Sequence, residues 1–403
     1  MIKIYNIFFT IFFLPVILIL SIFSKKIRAG IKEKFGFYNF DFQNEKNILW
    51  LHCISVGEVQ LIQDIVKKIN NYKIVVTTST PQGQELAKNK LKDYCHKITY
   101  FPYDFTFSVK NAIKAINPSA VLIAETEIWP EFSNQIKKKN IPLVIFNGRI
   151  SDNTFKSYKK LKFIFKKVLD NYSKILTQSN EDREKFIKIG AKEEKVATMG
   201  NIKFDIQKPT AEISDLDLNG APLIIAGSTH KGEDEIIYNA YKKLKEKHKN
   251  LKLLIAPRHL ERVNSIQNLT NGKLKSKNTF KENDILILDT TGELKNIYSI
   301  AHSVFMGGSF NNTGGHNPLE ATIWEKPVIS GPNIKNFKLV FKNLTEYNCS
   351  KIVQNEEELI NEFDKLLSNN EHYNNMKKNC FEVFEKNKGA LDYLYNFIKK
   401  EIS

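Results

Sequence analysis

NILWLHCISVGEVQ, residues 47–60, joins an apolar run to a turn and then to the start of an amphipathic segment. A continuous apolar run of this length, bounded by a turn, predicts a β-strand that is covered on both faces. Strands of that kind belong to parallel sheets, whose crossover helices pack on either side. The stretch therefore predicts the opening strand and helix of an α/β domain.

The same pattern recurs along the chain and pauses once. Strands are predicted first at NILWLHC, KIVVTTS, KITYF, AVLIAE, PLVIFN and KILTQ, and later at PLIIAGS, KLLIAP, DILILD, SVFMGG and KPVISG. Between the two groups, residues 204–222 are polar and have no clear period, which predicts a linker. We expect two doubly wound, Rossmann-like α/β domains that face a cleft, where such sheets bind ligands. The expected segments are a membrane anchor at 1–24, an N-terminal domain at 25–205, a linker at 206–220, a C-terminal domain at 221–380 and a final helix at 381–403.

The chain starts with an apolar segment that has no charged residue from Ile4 to Phe23. Its length is close to the ~20 residues that an α-helix needs to cross a bilayer. A signal peptide is the alternative, but its apolar core has roughly 7–15 residues, and no A-x-A-like cleavage site follows here. We expect a single membrane anchor, although Pro15 also permits a kinked helix or one that lies in the interface.

Basic residues are more numerous after this segment than before it. Because cytoplasmic flanks of membrane helices are enriched in Lys and Arg, the asymmetry predicts that everything downstream lies on the cytoplasmic face. The basic residues are Lys3 before the segment and Lys25, Lys26, Arg28, Lys32 and Lys34 after it.

The composition is that of a folded protein with an anionic partner. The 403 residues are 42% hydrophobic and 26% charged, and the formal net charge is +16. Such a charge favours an acidic membrane face, a phosphorylated substrate or nucleic acid, but no nucleic-acid-binding motif is present. Lysine runs such as residues 156–168 also occur simply to solvate a helix face. Cys53, Cys95, Cys349 and Cys380 form no C-x-x-C pair, which fits a reducing compartment and gives no support to zinc or redox motifs.

In the second half, the loop GGSFNNTGGHNPLE (307–320) suggests phosphate binding. Its glycines, Gly307, Gly308, Gly314 and Gly315, let backbone approach a ligand closely, and the helix that follows would attract an anion. The alternative is a tight turn and an ordinary helix start, with Asn317 as N-cap, Pro318 at N1 and Glu320 at N3.

Two further strand ends in the second half carry polar residues. IAPRH (255–259) ends with Arg258 and His259, which are donors suited to a phosphate, and DTTGEL (289–294) presents Thr291, Gly292 and Glu293. Three polar strand ends in one domain indicate one ligand.

In the first half, two segments place acids after strands. LIAETEIWP (122–130) presents Glu125 and Glu127, which point to the same side if the segment is extended. The alternative is a pair of acids whose charge suits the dipole of the next helix. Ser55 and Glu58 match S-x-x-E, the capping box, yet they open the first helix of a doubly wound sheet, where ligands bind. Glu58 is therefore a helix cap, a catalytic base or both.

Taken together, these motifs resemble the Kdo transferases, the 3-deoxy-D-manno-octulosonic acid transferases of lipopolysaccharide synthesis. The resemblance runs from the apolar segment to the last helices. It rests, in this order, on HCISVGE, TTSTPQGQE, FPYD, AETEIWP, GNIKFD, AGSTHKGEDE, APRH, DTTGEL, GGS and TGGHNPLEA.

The resemblance implies a GT-B glycosyltransferase of the inner membrane that moves Kdo from CMP-Kdo to the glucosamine 6-hydroxyl of the lipid A precursor. The reaction inverts the anomeric centre and needs no metal or other cofactor, so the one D-x-D, Asp215 and Asp217 in the linker, is given no ligand role. By the same resemblance Glu58 is the general base, and Glu125 and Lys203 stabilise the transition state. The residues that would hold CMP are Pro257, Arg258, Thr291, Gly292, Glu293, Asn317, Pro318, Leu319 and Glu320, and further candidates in the same motifs are Ser55, Gly57, Glu127, Ser228, His259, Gly314 and Gly315.

Partners and alternatives follow from this assignment. The expected partners are the anionic lipid acceptor, CMP-Kdo and an anionic membrane surface, and no nucleic acid. A GT-B transferase or epimerase that uses a UDP-sugar is the enzymatic alternative, and a membrane-tethered nucleotide-binding scaffold is the alternative without catalysis. The number of Kdo residues transferred, the acceptor's acyl chains and the oligomeric state stay open.

Overall fold

The computed structural model of the chain describes residues 2–206, 208–209, 213 and 216–402. The chain forms two compact units, Met1–Asp205 with Asn387–Ser403, and Ile206–Lys386. Each unit has one seven-stranded sheet, and every strand pair in both sheets is parallel. The predicted fold class, two doubly wound α/β domains, is confirmed.

The sheet of the first unit has the strand order β3-β2-β1-β4-β5-β6-β7, so the order reverses between β1 and β4. All six residues of β1 are buried, because apolar clusters cover both faces of the sheet. This is the two-sided burial that the run NILWLHC predicts. The strands are β1 (Ile48–Cys53), β2 (Lys73–Thr78), β3 (Lys97–Tyr100), β4 (Ala120–Ala124), β5 (Leu143–Gly148), β6 (Lys174–Thr177) and β7 (Val196–Thr198).

Helices connect these strands, and the chain's last helix returns to this unit. Asp205 accepts hydrogen bonds from the N–H groups of Gly389 (2.6 Å) and Leu391 (2.5 Å) and so caps that last helix. The helices are α1 (Ile2–Phe23), α2 (Lys25–Arg28), α3 (Ile31–Lys34), α4 (Val56–Lys68), α5 (Pro81–Leu91), α6 (Thr106–Ile116), α7 (Pro130–Lys138), α8 (Asp152–Lys160), α9 (Lys162–Leu169), α10 (Asn180–Lys188) and, at the end of the chain, α18 (Ala390–Phe397).

The second unit repeats the design with the order β10-β11-β9-β8-β12-β13-β14, and the order reverses between β8 and β12. Its strands are β8 (Leu223–Thr229), β9 (Lys252–Pro257), β10 (Lys273–Leu274), β11 (Ile285–Ile287), β12 (Ser303–Met306), β13 (Val328–Ser330) and β14 (Ser350–Ile352). Its helices are α11 (Glu233–Lys247), α12 (Val263–Thr270), α13 (Leu294–Ile297), α14 (Leu319–Thr322), α15 (Lys338–Glu346), α16 (Glu356–Ser368) and α17 (Asn370–Asn387).

The structure contains every predicted strand and three that the sequence patterns missed, β7, β10 and β14. All three are edge strands of two or three residues. An edge strand is covered incompletely, so it needs no long apolar run, and a run is what the patterns detect.

The segment boundaries also differ in detail from those expected. The linker was expected at 206–220. Asp215 and several of its neighbours lie outside the described residues, whereas Leu216 and Leu218 are buried in the second unit. Residue 381, where a final helix was expected to begin, lies inside α17. The chain passes from the second unit to the first near residue 386.

Among the described residues, one helix is long and apolar enough to cross a membrane. It covers Tyr5–Phe23 of α1, with a mean hydropathy of 2.5. Its first turns contact the first unit, since Tyr5 donates a hydrogen bond to Asp104 (3.1 Å) and the ring of Phe9 lies 5.2 Å from that of Phe105. The outward face of α1 is apolar and exposed.

Candidate functional site

The candidate site of the first unit lies where the strand order reverses. In doubly wound sheets this edge leaves a crevice beyond the carboxyl ends of the two central strands. Glu58 lies in the first turn of α4, directly after β1, and Glu125 follows β4. β1 and β4 are adjacent strands, so the fold brings the two predicted catalytic acids together.

Glu58 forms half of the predicted capping box. Its carboxylate accepts a hydrogen bond from the backbone N–H of Ile54, but the Ser55 side chain makes no capping hydrogen bond. The expectation of a reciprocal box was therefore wrong for Ser55. Gly57, beside Glu58, is exposed, and no other group lies within 4 Å of the position a Cβ would take there.

Burial controls the acidity of Glu58. The half-buried carboxylate has its pKa raised to about 7, mainly by loss of hydration and further by the negative charges of Glu125 and Glu127. The backbone N–H groups of Ile54 and Ser55 lower the pKa but do not offset burial. A carboxyl group with a pKa near 7 is suited to accept a proton at neutral pH.

Glu125 is held by two cations. Its Oε1 lies 3.3 Å from Lys203 Nζ and its Oε2 lies 3.1 Å from Arg149 Nε. The residue has φ of 57°, in the left-handed region, so the extended geometry assumed for the ETE segment was wrong. Glu127 still lies close enough to interact with Glu125 and Glu58, and burial raises its own pKa to about 7.

Lys203 reaches Glu125 from a short 3₁₀ helix, Ile202–Phe204. Two asparagines fix that helix. Asn201 Oδ1 accepts from the N–H of Lys203 (3.0 Å), and the buried Asn147, at the end of β5, accepts from the N–H of Ile202 (3.1 Å). The predicted trio of Glu58, Glu125 and Lys203 is thus assembled within one unit.

In the second unit, the glycine-rich loop is organised by Glu233, a residue to which sequence reasoning gave no role. Glu233 is 1% exposed and accepts four backbone N–H groups. The donors are those of His230 (2.9 Å), Gly308 (2.7 Å), Ser309 (2.8 Å) and Phe310 (2.9 Å).

The rest of the loop is also bonded to itself. The N–H groups of Gly314 and Gly315, both with positive φ, donate to the carbonyl of Gly308 at 3.0 and 2.7 Å. A Cβ on Gly307 would lie 2.4 Å from the carbonyl oxygen of Ser228, which has φ of 55°. Many of the N–H groups that suggested phosphate binding are therefore occupied, and side chains must supply more of the contacts with an anion.

Imidazole and guanidinium groups lie at the adjoining strand ends. His230 Nε2 and His316 Nε2 are 2.8 Å apart, and the ring of His259 lies edge-on, 5.7 Å from that of His230. Burial, with the cations nearby, lowers the pKa of His316 to about 4 and also lowers that of His230. Arg258 follows the buried Pro257 and is exposed.

The other predicted CMP ligands lie on two short segments of the second unit. Thr291 and Gly292 are exposed, and Glu293 pairs with Lys275. Asn317 Oδ1 accepts from the N–H of Leu319 (3.2 Å), as an N-cap does, but the helix that follows, α14, has four residues. Pro318 is buried, and Glu320 lies 3.3 Å from Lys295 instead of completing a capping box.

Four residues of these sites were missed from the sequence: Arg149, His230, Glu233 and His316. Arg149 and His230 directly follow strands and Glu233 starts a helix, which is a detectable signal, whereas His316 lies inside the glycine-rich loop. Arg149 is the first residue after β5, and His230 is the first after β8.

Comparisons with known proteins agree with this arrangement. Residues 29–206 match the family model described as 3-deoxy-D-manno-octulosonic-acid transferase (kdotransferase), and residues 224–383 match that of glycosyl transferases group 1. A 3-deoxy-D-manno-octulosonic acid transferase from Haemophilus influenzae is 32% identical over 94% of this chain and 93% of its own length. A bifunctional glycosyltransferase/methyltransferase from Fusobacterium nucleatum is 33% identical over 94% of this chain and 60% of its own length.

The fold has distant structural relatives as well. UDP-GlcNAc 2-epimerase from Neisseria meningitidis, bound to UDP-GlcNAc, aligns with a TM-score of 0.54 at 14% identity, over 87% of this chain and 99% of the epimerase. That likeness concerns the GT-B fold alone. With the sequence motifs, the assembled acids and the full-length relative in agreement, the chain belongs to the 3-deoxy-D-manno-octulosonic acid transferase family of glycosyltransferases.

Proposed function

We propose that this chain transfers Kdo from CMP-Kdo to the 6-hydroxyl of a glucosamine in the lipid A precursor, with inversion at the anomeric carbon. The observation that carries the proposal is Glu58, a half-buried carboxylate with its pKa raised to about 7, grouped with the ion-paired Glu125. A sugar hydroxyl is a weak nucleophile at neutral pH, and a positioned base of this kind accelerates its attack by about 10² to 10⁴.

The bond changes balance within the two substrates. The acceptor oxygen forms a bond to the anomeric carbon as the bond to the phosphate oxygen of CMP breaks, and Glu58 takes the hydroxyl proton. CMP departs with the bonding electrons. Lys203, held at Glu125, supplies positive charge as negative charge develops.

The second unit has the groups expected of a CMP site. Arg258 and His259 project at the end of β9, beside the His230 and His316 imidazoles, and provide donors for a phosphate. We also propose that two further segments of this unit contact the nucleotide, Thr291–Glu293 and Asn317–Glu320.

Metal independence is proposed from the chemistry of the acids in the second unit. A Mg²⁺ ion that holds a substrate phosphate is usually bound by one or two carboxylates as well. Glu233 is bonded to four N–H groups, Asp234 pairs with Arg262, and Glu293 and Glu320 each pair with a lysine.

A membrane location on the cytoplasmic face is proposed for both units, with α1 as the anchor. The contacts of Tyr5 and Phe9 with the first unit favour a helix that lies along the membrane surface over one that crosses it. The junction of α8 and α9 adds a second apolar and basic surface. Leu161 and Phe163 are 46% and 59% exposed there, among the exposed lysines Lys159, Lys160 and Lys162.

Donor trials with the purified full chain test the function. CMP-Kdo with the bisphosphorylated lipid A precursor should give CMP and a lipid heavier by one or more Kdo residues, read by mass spectrometry. Release of UDP from a UDP-sugar, with no reaction of CMP-Kdo, would establish the alternative transferase or epimerase. Nucleotide binding without turnover of either donor would establish the scaffold.

A further inference from the structure

Arg149 is fixed beside the acids of the first unit by its own backbone. It follows β5 directly, and its N–H donates to the hydroxyl of Thr126 (2.9 Å), which in turn donates to the Arg149 carbonyl (2.5 Å). Thr126 stands between Glu125 and Glu127 in the chain. The backbone of Arg149 is therefore tied to the segment that carries these two acids.

Only one edge of the Arg149 guanidinium makes a hydrogen bond with the described residues. Nε donates to Glu125 Oε2, whereas Nη1 and Nη2 make no hydrogen bond within the described part of the chain. The side chain is 36% exposed. The hydrogen bond from Nε fixes the orientation of the guanidinium plane. Nη1 and Nη2, at its other edge, are therefore a pre-oriented pair of donors.

Pairing with Glu125 does not by itself account for Arg149. Lys203 already pairs with the other oxygen of Glu125, so that carboxylate has a cationic partner without Arg149. An arginine fork fits a carboxylate or phosphate through two parallel hydrogen bonds, which an ammonium group cannot do. An unused fork beside a proposed catalytic base thus matches a substrate oxyanion.

We propose that Arg149 binds a substrate oxyanion through Nη1 and Nη2 and so orients that substrate at Glu58. This rests on the proposed function, in which both substrates carry such a group. The oxyanion is either a phosphate of the lipid acceptor or the carboxylate of the donor sugar. Glu125 acts as the group that orients the fork.

The test uses Arg149→Lys in the full chain, because lysine can still pair with Glu125 but cannot chelate an oxyanion. The matched control is Arg183→Lys in the same unit, where the guanidinium pairs with Glu193 on the surface. KM and kcat are measured for the bisphosphorylated lipid, the same lipid without the phosphate on the acceptor glucosamine, and CMP-Kdo.

We expect Arg149→Lys to raise KM for one anionic substrate by about 10- to 100-fold, the range for a hydrogen bond to a charged group. A rise for the phosphorylated lipid that is absent for the dephosphorylated lipid identifies the phosphate, and a rise for CMP-Kdo identifies the carboxylate. Unchanged KM values for both substrates, with or without a loss of kcat, would overturn the proposal, since a residue that merely positions Glu125 gives that result.

Failure of the proposed function is distinguishable. If the wild-type chain forms no product, that function falls, and binding of the bisphosphorylated lipid and of free Kdo to wild-type and Arg149→Lys chains is then compared by calorimetry. Weaker binding of either ligand to the variant supports the oxyanion site, and equal binding of both overturns it.

Discussion

Replacing Glu58 with glutamine should slow transfer and, above neutral pH, stabilise the first unit. Burial raises the pKa of this carboxyl from its ordinary value of 4.5 to about 7, so the folded chain resists its ionisation. The substituted amide would stay neutral at every pH and could still accept the hydrogen bond from Ile54 N–H. Catalysis and stability are thus expected to move in opposite directions.

The magnitude follows from the interval between 4.5 and about 7. Each pKa unit corresponds to about 1.36 kcal/mol, so the ionised Glu58 costs the folded state at most about 3 kcal/mol. Below pH 4.5 the carboxyl is protonated in both the folded and the unfolded chain, and this cost is absent. As the pH rises to 7 only the unfolded chain releases the proton, so stability is lost through that window and then stays constant.

The assay compares thermal unfolding of wild-type and Glu58→Gln chains at about pH 4.5 and about pH 8, with transfer rates at the higher pH. The variant should gain several °C at the higher pH, since about 1 kcal/mol moves Tm by roughly 2–4 °C in a domain of this size. Little gain is expected at the lower pH. The rate should fall by about 10² to 10⁴.

Glu358→Gln is the matched control. Glu358 accepts the N–H of Gln354 (2.9 Å), the same four-residue step as Glu58 to Ile54, but it is exposed. This variant should change neither the rate nor the pH dependence of stability. Glu58→Gln would refute the reasoning if it lost stability equally at both pH values, or if it transferred Kdo at the wild-type rate.

Two further predictions concern the second unit and the membrane surface. Glu233→Gln turns an amide N–H₂ toward backbone N–H donors, so it should destabilise the second unit by about 2–4 kcal/mol. CMP binding, measured by calorimetry, should also be weaker. Unchanged affinity for CMP would mean that the glycine-rich loop does not shape the CMP site. Phe163→Trp should be quenched by brominated lipids in vesicles that contain phosphatidylglycerol, whereas Phe381→Trp, 52% exposed in the second unit, should not. Equal quenching of the two tryptophans would contradict membrane binding by the α8–α9 surface.

The architecture was predictable because buried parallel strands leave a direct trace in the sequence. A strand such as β4 (AVLIA) is buried at every residue, so its apolar run is unbroken. β10 has two residues, one exposed and one half-buried, at a sheet edge, and there is no comparable run to detect. The shared site of Glu58 and Glu125 was expected from the family resemblance alone, and the strand order that brings β1 beside β4 was found only in the structure.

Local geometry was less predictable because it depends on residues far apart in the chain. Glu125 has a left-handed backbone, and its carboxylate is held by Lys203, which lies beyond three further strands. The loop at Gly308 looked free to bind phosphate, but Glu233 takes its N–H groups from 75 residues away. Motifs report the residue types at a site, whereas the partners that occupy their hydrogen bonds come from other elements.

A glutamate occupies the same topological position in both units but has a different role in each. Glu58 and Glu233 both lie in the first turn of the helix that follows the first strand of their sheet along the chain, β1 and β8 respectively. Glu233 accepts four backbone N–H groups and is therefore suited to holding the loop in place. Glu58 has fewer backbone donors, and burial beside two other acids outweighs them, so its proton is exchangeable at a pKa of about 7. The balance between hydrogen-bond donors and burial, rather than the S-x-x-E pattern, therefore decides whether a glutamate at this position is a cap alone or also a base.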